Sequence, residues 1–176
     1  MKKSLLGNLI LVFLSTAITL LVAEYGLRLL APNLASEPVT SNQYNFYRYD
    51  PLLGWSNIPD ARGTFSRTEF SYELNINSLG LRGAEITMEK PAGTRRIAVL
   101  GDSFVWGIGA AEPELFTTLL ADSLPATQVL NFGVAGYSPI QHHLLTDKVL
   151  ALDPDLVIIS FCLGNDFADA VYWNRY

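Results

Sequence analysis

Arg96-Ile97-Ala98-Val99-Leu100-Gly101-Asp102-Ser103-Phe104 is the stretch whose reading decides the fold. Arg96 to Leu100 form a short apolar run with β-branched residues, which predicts a strand, and Gly101 to Gly109 follow as a Gly-rich turn. Pro113, flanked by Glu112 and Glu114, then signals a helix start: proline suits the first helical turn, and carboxylates favour the positive end of the helix dipole.

The same alternation continues downstream. Gln128 to Phe132 predict a second strand, Pro139 to Leu152 a second helix, and Leu156 to Cys162 a third strand. Helices between short apolar strands imply parallel crossovers, hence a layered α/β sheet. Val157, Ile158, Ile159 and Phe161 make the third strand apolar on both faces, so it wants cover on both. Taken alone, residues 94–176 are expected to expose strand edges and apolar surface, and to express poorly.

Upstream, residues 44–93 predict a small β-rich lead-in. Aromatic residues are frequent from Tyr44 to Trp55, and Phe70, Tyr72, Leu74 and Ile76 alternate with polar residues at the period of a half-buried strand. Asn77-Ser78-Leu79-Gly80, Arg82-Gly83 and Lys90-Pro91-Ala92-Gly93 supply turn signals. No internal repeat or low-complexity tract interrupts the pattern.

At the N-terminus, Leu5 to Ala23 form an uncharged apolar stretch, about 28 Å long as a helix and close to the thickness of a bilayer core. Lys2 and Lys3 before it and Glu24 after it predict residues 1–4 in the cytoplasm and the body on the periplasmic or extracellular side. A cleaved signal peptide shares the basic start, but its apolar centre is shorter and Ala35 closes a poor cleavage pattern, so a retained single-pass anchor is expected. Residues 24–43, enriched in Pro, Asn, Ser and Thr from Pro32 to Asn42, read as a tether.

Hydrophobic residues make up 49% of the 176 and charged residues 16%, with a formal net charge of −5, so the basic footprint of a nucleic-acid binder is missing. Cys162, the single cysteine, reads as a small buried hydrophobe. Neither metal-ligand spacing nor a cofactor fingerprint occurs, and Gly101 to Gly109 fit neither dinucleotide nor Walker A patterns. The sequence carries no signal of oligomeric state.

In parallel sheets, functional groups collect just beyond the carboxyl ends of strands. Three polar, Gly-containing segments fall there: Gly101-Asp102-Ser103-Phe104, Asn131-Phe132-Gly133-Val134-Ala135-Gly136, and Gly164-Asn165-Asp166. In this order and spacing they resemble the SGNH (GDSL-like) serine hydrolases, a family named for Ser, Gly, Asn and His in four successive blocks. The resemblance covers roughly residues 95–170, and Asn77 to Gly83 look like a lead-in of anchored bacterial members. It implies a three-layer, flavodoxin-like parallel sheet, here incomplete.

It also implies roles. Ser103 matches the nucleophile, Gly136 the glycine whose N–H faces the oxyanion, and Asn165 the side-chain amide that is the third donor. Gly133 is an alternative to Gly136, and Leu163 stands where many members have glycine. Each residue also has a plain structural use: Ser103 as a cap, Gly136 as a left-handed backbone position, Asn165 as a loop bridge. Asp102, adjacent to the nucleophile, is awkwardly placed for a triad acid and is expected to hold a turn.

The family's last block, an Asp with a His three residues later, is not present. His142 and His143 are neighbours on a helix and point to different sides, which suits neither a metal pair nor a triad. Truncation of a longer chain is the expected reason. The resemblance implies a serine esterase acting through an acyl-enzyme on a lipid or envelope-carbohydrate ester, with no cofactor. Acyl transfer onto envelope polysaccharide at the same site and a non-catalytic binding module are the alternatives.

Overall fold

The end of an uncharged, mostly apolar stretch need not end a helix when the charges that follow satisfy one another. In the computed structural model, which describes residues 2–30, 43–67 and 69–172, helix α1 spans Lys2–Leu30, seven residues past the expected end at Ala23. Glu24 and Arg28 pair at 2.7 Å one turn apart, so neither charge interrupts the helix. Ser15 and Thr19 donate to the carbonyls of Val12 and Ser15, so their hydroxyls are satisfied inside the helix itself. The segment Leu5–Leu30 is long and apolar enough to cross a membrane. Of the expected tether, residues 31–42 lie outside the described residues.

The chain divides into two units, Met1–Thr40 and Ser41–Tyr176. The second opens with a 3-10 turn, Gln43–Phe46, and the hairpin β1 (Tyr47–Asp50) and β2 (Gly54–Asn57), paired antiparallel from Tyr47↔Asn57 to Asp50↔Gly54. Asp50 makes the turn, its Oδ1 accepting from the N–H groups of Leu52 and Leu53 at 3.0 Å each. A second antiparallel hairpin follows, β3 (Arg62–Ser66) and β4 (Ser71–Asn75). The period-two run predicts β4, and Leu74 and Ile76 are buried on one side with Phe65 and Trp106. The other three strands, four or five residues each, carried no such signal.

The body is mixed α/β around a parallel three-stranded sheet in the order β6-β5-β7. Central β5 (Arg95–Gly101) pairs with β6 (Thr127–Gly133) and with β7 (Leu156–Ile159). Its residues alternate between two cores: Ala98 and Leu100 pack with Leu130, Phe132 and Leu152, whereas Ile97 and Val99 pack with Val105. All four residues of β7, at the sheet edge, are exposed. This strand is shorter than the expected Leu156–Cys162, although the Ser160 N–H still donates to the Leu100 carbonyl.

Helices follow each strand: α2 (Ser103–Trp106) and α3 (Phe116–Ser123) after β5, α4 (Pro139–Leu144) and α5 (Thr146–Leu150) after β6, and α6 (Asp166–Tyr172) after β7. The acidic signals at Glu112 and Glu114 open a 3-10 turn that leads into α3. The expected single helix Pro139–Leu152 is stepped at Leu145, where the N–H is shared between the Gln141 and His143 carbonyls and Thr146 Oγ1 also donates to His143.

One side chain ties the lead-in to the body. The buried Arg82 guanidinium donates to the carbonyls of Trp106 and Gly107 at 2.6 Å and to that of Ala110 at 2.5 Å, and it lies over the rings of Trp106 and Tyr72. Burial pulls its pKa down from the ordinary arginine value.

Candidate functional site

Close approach of backbone to backbone builds the turn that carries Ser103. Gly133, at the end of β6 and level with Gly101 in the sheet, lies so close to the Trp106 N and Val105 C atoms that no Cβ fits between them. Asn131 secures the same junction, its Nδ2 donating to the Val105 carbonyl at 2.8 Å and its Oδ1 accepting from the Gly133 N–H at 2.9 Å. Trp106 is fixed in turn by Asn57, whose Oδ1 accepts its indole N–H at 3.1 Å. The short helix α2 therefore sits directly on the carboxyl edge of the sheet.

Asp102 caps that helix: its Oδ1 accepts the Phe104 N–H at 2.9 Å, the local turn role expected of it. Ser103 is the first helical residue, half-buried, between buried Asp102 and exposed Phe104. Its carbonyl accepts from the N–H groups of Gly107 and Ile108.

Beyond β6, residues 134–138 form a second loop. The Val134 N–H donates to the Gly101 carbonyl, which joins this loop to the end of β5. The Tyr137 N–H returns to the Val134 carbonyl at 3.1 Å and Gly136 has φ +81°, the marks of a type II turn with Gly136 in its glycine position. Ser138 precedes α4, and both its N–H and its hydroxyl donate to Gln141 Oε1. Trp55 of β2 donates its indole N–H to the Ala135 carbonyl at 3.0 Å, and Tyr137 Oη donates to the Trp55 carbonyl at 2.5 Å. The half-buried Tyr47 side chain faces the Ala135 backbone, and burial pushes its pKa up, as it does that of Tyr137. Sequence reasoning singles out none of Tyr47, Trp55 and Tyr137 for the site; the aromatic richness of residues 44–55 is a signal of the first two alone.

Beyond β7, the third loop is held locally. The Asp166 Oδ2 accepts the Cys162 N–H at 2.8 Å, and the Asp166 N–H donates to the Cys162 carbonyl. Half-buried Asn165 directly precedes α6 and donates through Nδ2 to Asp169 Oδ2 at 2.7 Å, which leaves the second N–H of that amide for another acceptor. Cys162 is half-buried, not the buried hydrophobe expected.

Ser103, Gly136 and Asn165 thus follow the carboxyl ends of three adjacent parallel strands. The two histidines diverge: His143 is exposed, whereas the His142 ring is buried. It faces the Gly101 carbonyl without a well-formed hydrogen bond, within the field of the Asp166 and Asp102 carboxylates. Burial pushes its pKa down more than those neighbours raise it. That position at the carboxyl end of β5 is not legible from a helical pair. Among the described residues, no three His, Cys, Asp or Glu side chains are grouped to hold a metal ion.

No protein-family model matches the chain, and no curated protein matches it.

Proposed function

We propose that this chain belongs to the SGNH (GDSL-like) serine hydrolases, anchored in a membrane by α1, and cleaves esters through an acyl-enzyme at Ser103. The observation that carries the reading is the arrival of Ser103, Gly136 and Asn165 just past the ends of β5, β6 and β7. The strand order supports the fold half of it. Numbered from β5, β6-β5-β7 is 2-1-3, the start of a flavodoxin-like sheet, whose ligands bind where the order reverses, between the strands that precede Ser103 and Asn165.

In this mechanism the Ser103 Oγ adds to the ester carbonyl, and the oxyanion accepts hydrogen bonds from the Ser103 and Gly136 N–H groups and the Asn165 amide. Collapse of the intermediate keeps the new Oγ–C bond and releases the alcohol with a proton. Water then cleaves the acyl-serine, which frees the carboxylic acid and restores the hydroxyl. The family resemblance gives the proton transfers to an Asp-x-x-His block, a pattern that residues 1–176 do not contain, so no side chain here is assigned to them.

Lys2 and Lys3 before the apolar segment favour a cytoplasmic N-terminus and a body facing the cell envelope, where lipid and glycan esters are the substrate class. In the full-length protein, Ser103→Ala abolishes p-nitrophenyl acetate hydrolysis and labelling by a fluorophosphonate. Turnover that survives the substitution ends the hydrolase reading.

A further inference from the structure

A type II turn has a close competitor. Rotating its central peptide by about half a turn, with little change in the flanking chain, gives a type I turn. For residues 134–137 that central unit is the Ala135–Gly136 peptide. The unit is planar and trans, so its carbonyl and its N–H point to opposite sides. Whatever fixes the Ala135 carbonyl therefore fixes the direction of the Gly136 N–H.

Resting on the hydrolase reading above, we propose that Trp55 is the positioning residue of the oxyanion site: its indole N–H holds the Ala135 carbonyl and thereby turns the Gly136 N–H outward, away from β2 and toward the reacting carbonyl. Three observations converge on this role. The indole donates at 3.0 Å to the oxygen at the far end of the very peptide whose N–H is needed. The same ring closes over Gly136, so that a Cβ there would lie 3.1 Å from it, and at φ +81° any other residue is strained as well. The bond is reciprocated, since Tyr137 of the loop donates its hydroxyl to the Trp55 backbone carbonyl at 2.5 Å. A carbonyl that accepts a hydrogen bond also polarises its peptide, which makes the opposite N–H a stronger donor. Trp55 touches no substrate in this scheme and acts only through the peptide.

The test uses the full-length protein in detergent, with p-nitrophenyl acetate as substrate and selective glycine 15N labelling to follow the Gly136 amide. Trp55→Phe keeps the aromatic wall and removes the N–H. The expected result is a fall in kcat of roughly tenfold, smaller than the loss of a whole oxyanion donor, with KM unchanged and a shifted Gly136 resonance. Tyr137→Phe, which keeps the indole bond and frees its far side, shifts the same resonance less and lowers kcat by a smaller factor, and it stands in if Trp55→Phe does not fold. A Gly136 resonance and a kcat that both stay at their wild-type values in a folded Trp55→Phe protein overturn the proposal. If Ser103→Ala leaves turnover intact, the hydrolase reading fails on its own, and the Gly136 resonance alone then decides: a shift keeps Trp55 as the lock on the turn, and no shift removes it.

Discussion

The loops at residues 134–138 and 161–166 follow the two outer strands of one sheet, yet they are held in different ways. The first is braced from eighty residues away by Trp55, which bonds to Ala135 and Tyr137, and from close by through Gln141 of α4. The second is closed by bonds between residues no more than four apart: Cys162 with Asp166 and Asn165 with Asp169. Its strand, β7, is exposed along its length, whereas the end of β6 is buried. Distant braces make a loop as stable as the fold, while local bonds let a loop open by itself. The loop of Gly136 is thus fixed by the fold, and that of Asn165 depends on its own turn.

The severest way to break the contrast is Gly133→Ala, which forces a Cβ against the Trp106 and Val105 backbone and should cost about 3 kcal/mol in urea unfolding of the anchored protein in detergent. If the loop simply yields and stability is kept, the first region is no more rigid than the second. Next comes Arg82→Met, which strips the carbonyls of Trp106, Gly107 and Ala110 of their shared donor and is expected to cost about 2 kcal/mol in the same assay.

His142 lies between the regions, facing Gly101, Asp102 and Asp166, and it sharpens the comparison through pH. Its folded pKa is depressed below the ordinary 6.5, so the unfolded chain takes up the proton first as pH falls. Stability contributed by neutral His142 is complete above about 6.5 and declines below it, with a slope of at most about 1.4 kcal/mol per pH unit, until the folded-state pKa is reached. In His142→Phe that part of the slope should vanish from a pH series of melts.

The smallest effect is expected at Asp166→Asn, which keeps an acceptor for the Cys162 N–H and should change global stability by less than about 1 kcal/mol. Hydrogen exchange separates the two loops directly. The Asp166 amide should exchange through local opening, faster than the Val134 and Tyr137 amides, and equal protection would erase the distinction.

What the sequence revealed follows the range of the forces involved. The apolar runs of β5 and β6 were legible to within one residue at each end, because a strand buried on both faces leaves no other pattern. Asp102 was readable as a turn residue because its partner lies two positions away. The step at Leu145 was not, since no glycine or proline marks it and it depends on a shared N–H and a threonine hydroxyl. The reach of α1 through Leu30 is not legible from the apolar stretch, which stops before Glu24, because it depends on Glu24 pairing with Arg28 one turn on. Of the candidate site, the positions beyond the strand ends could be read from local motifs. The clamp on Ala135 could not, because nothing in residues 47–55 names a partner eighty positions on.

That separation has a kinetic side. The β5–β6 pairing closes a loop of about thirty residues, but the meeting of Trp55 with Ala135 needs a much longer stretch of chain to come together. During refolding, the parallel ladder should gain protection first, and the turn at Gly136 should acquire its final form only when the N-terminal hairpin docks. The protein would then pass through a stage in which its sheet is already built while the loop that carries Gly136 is still blank.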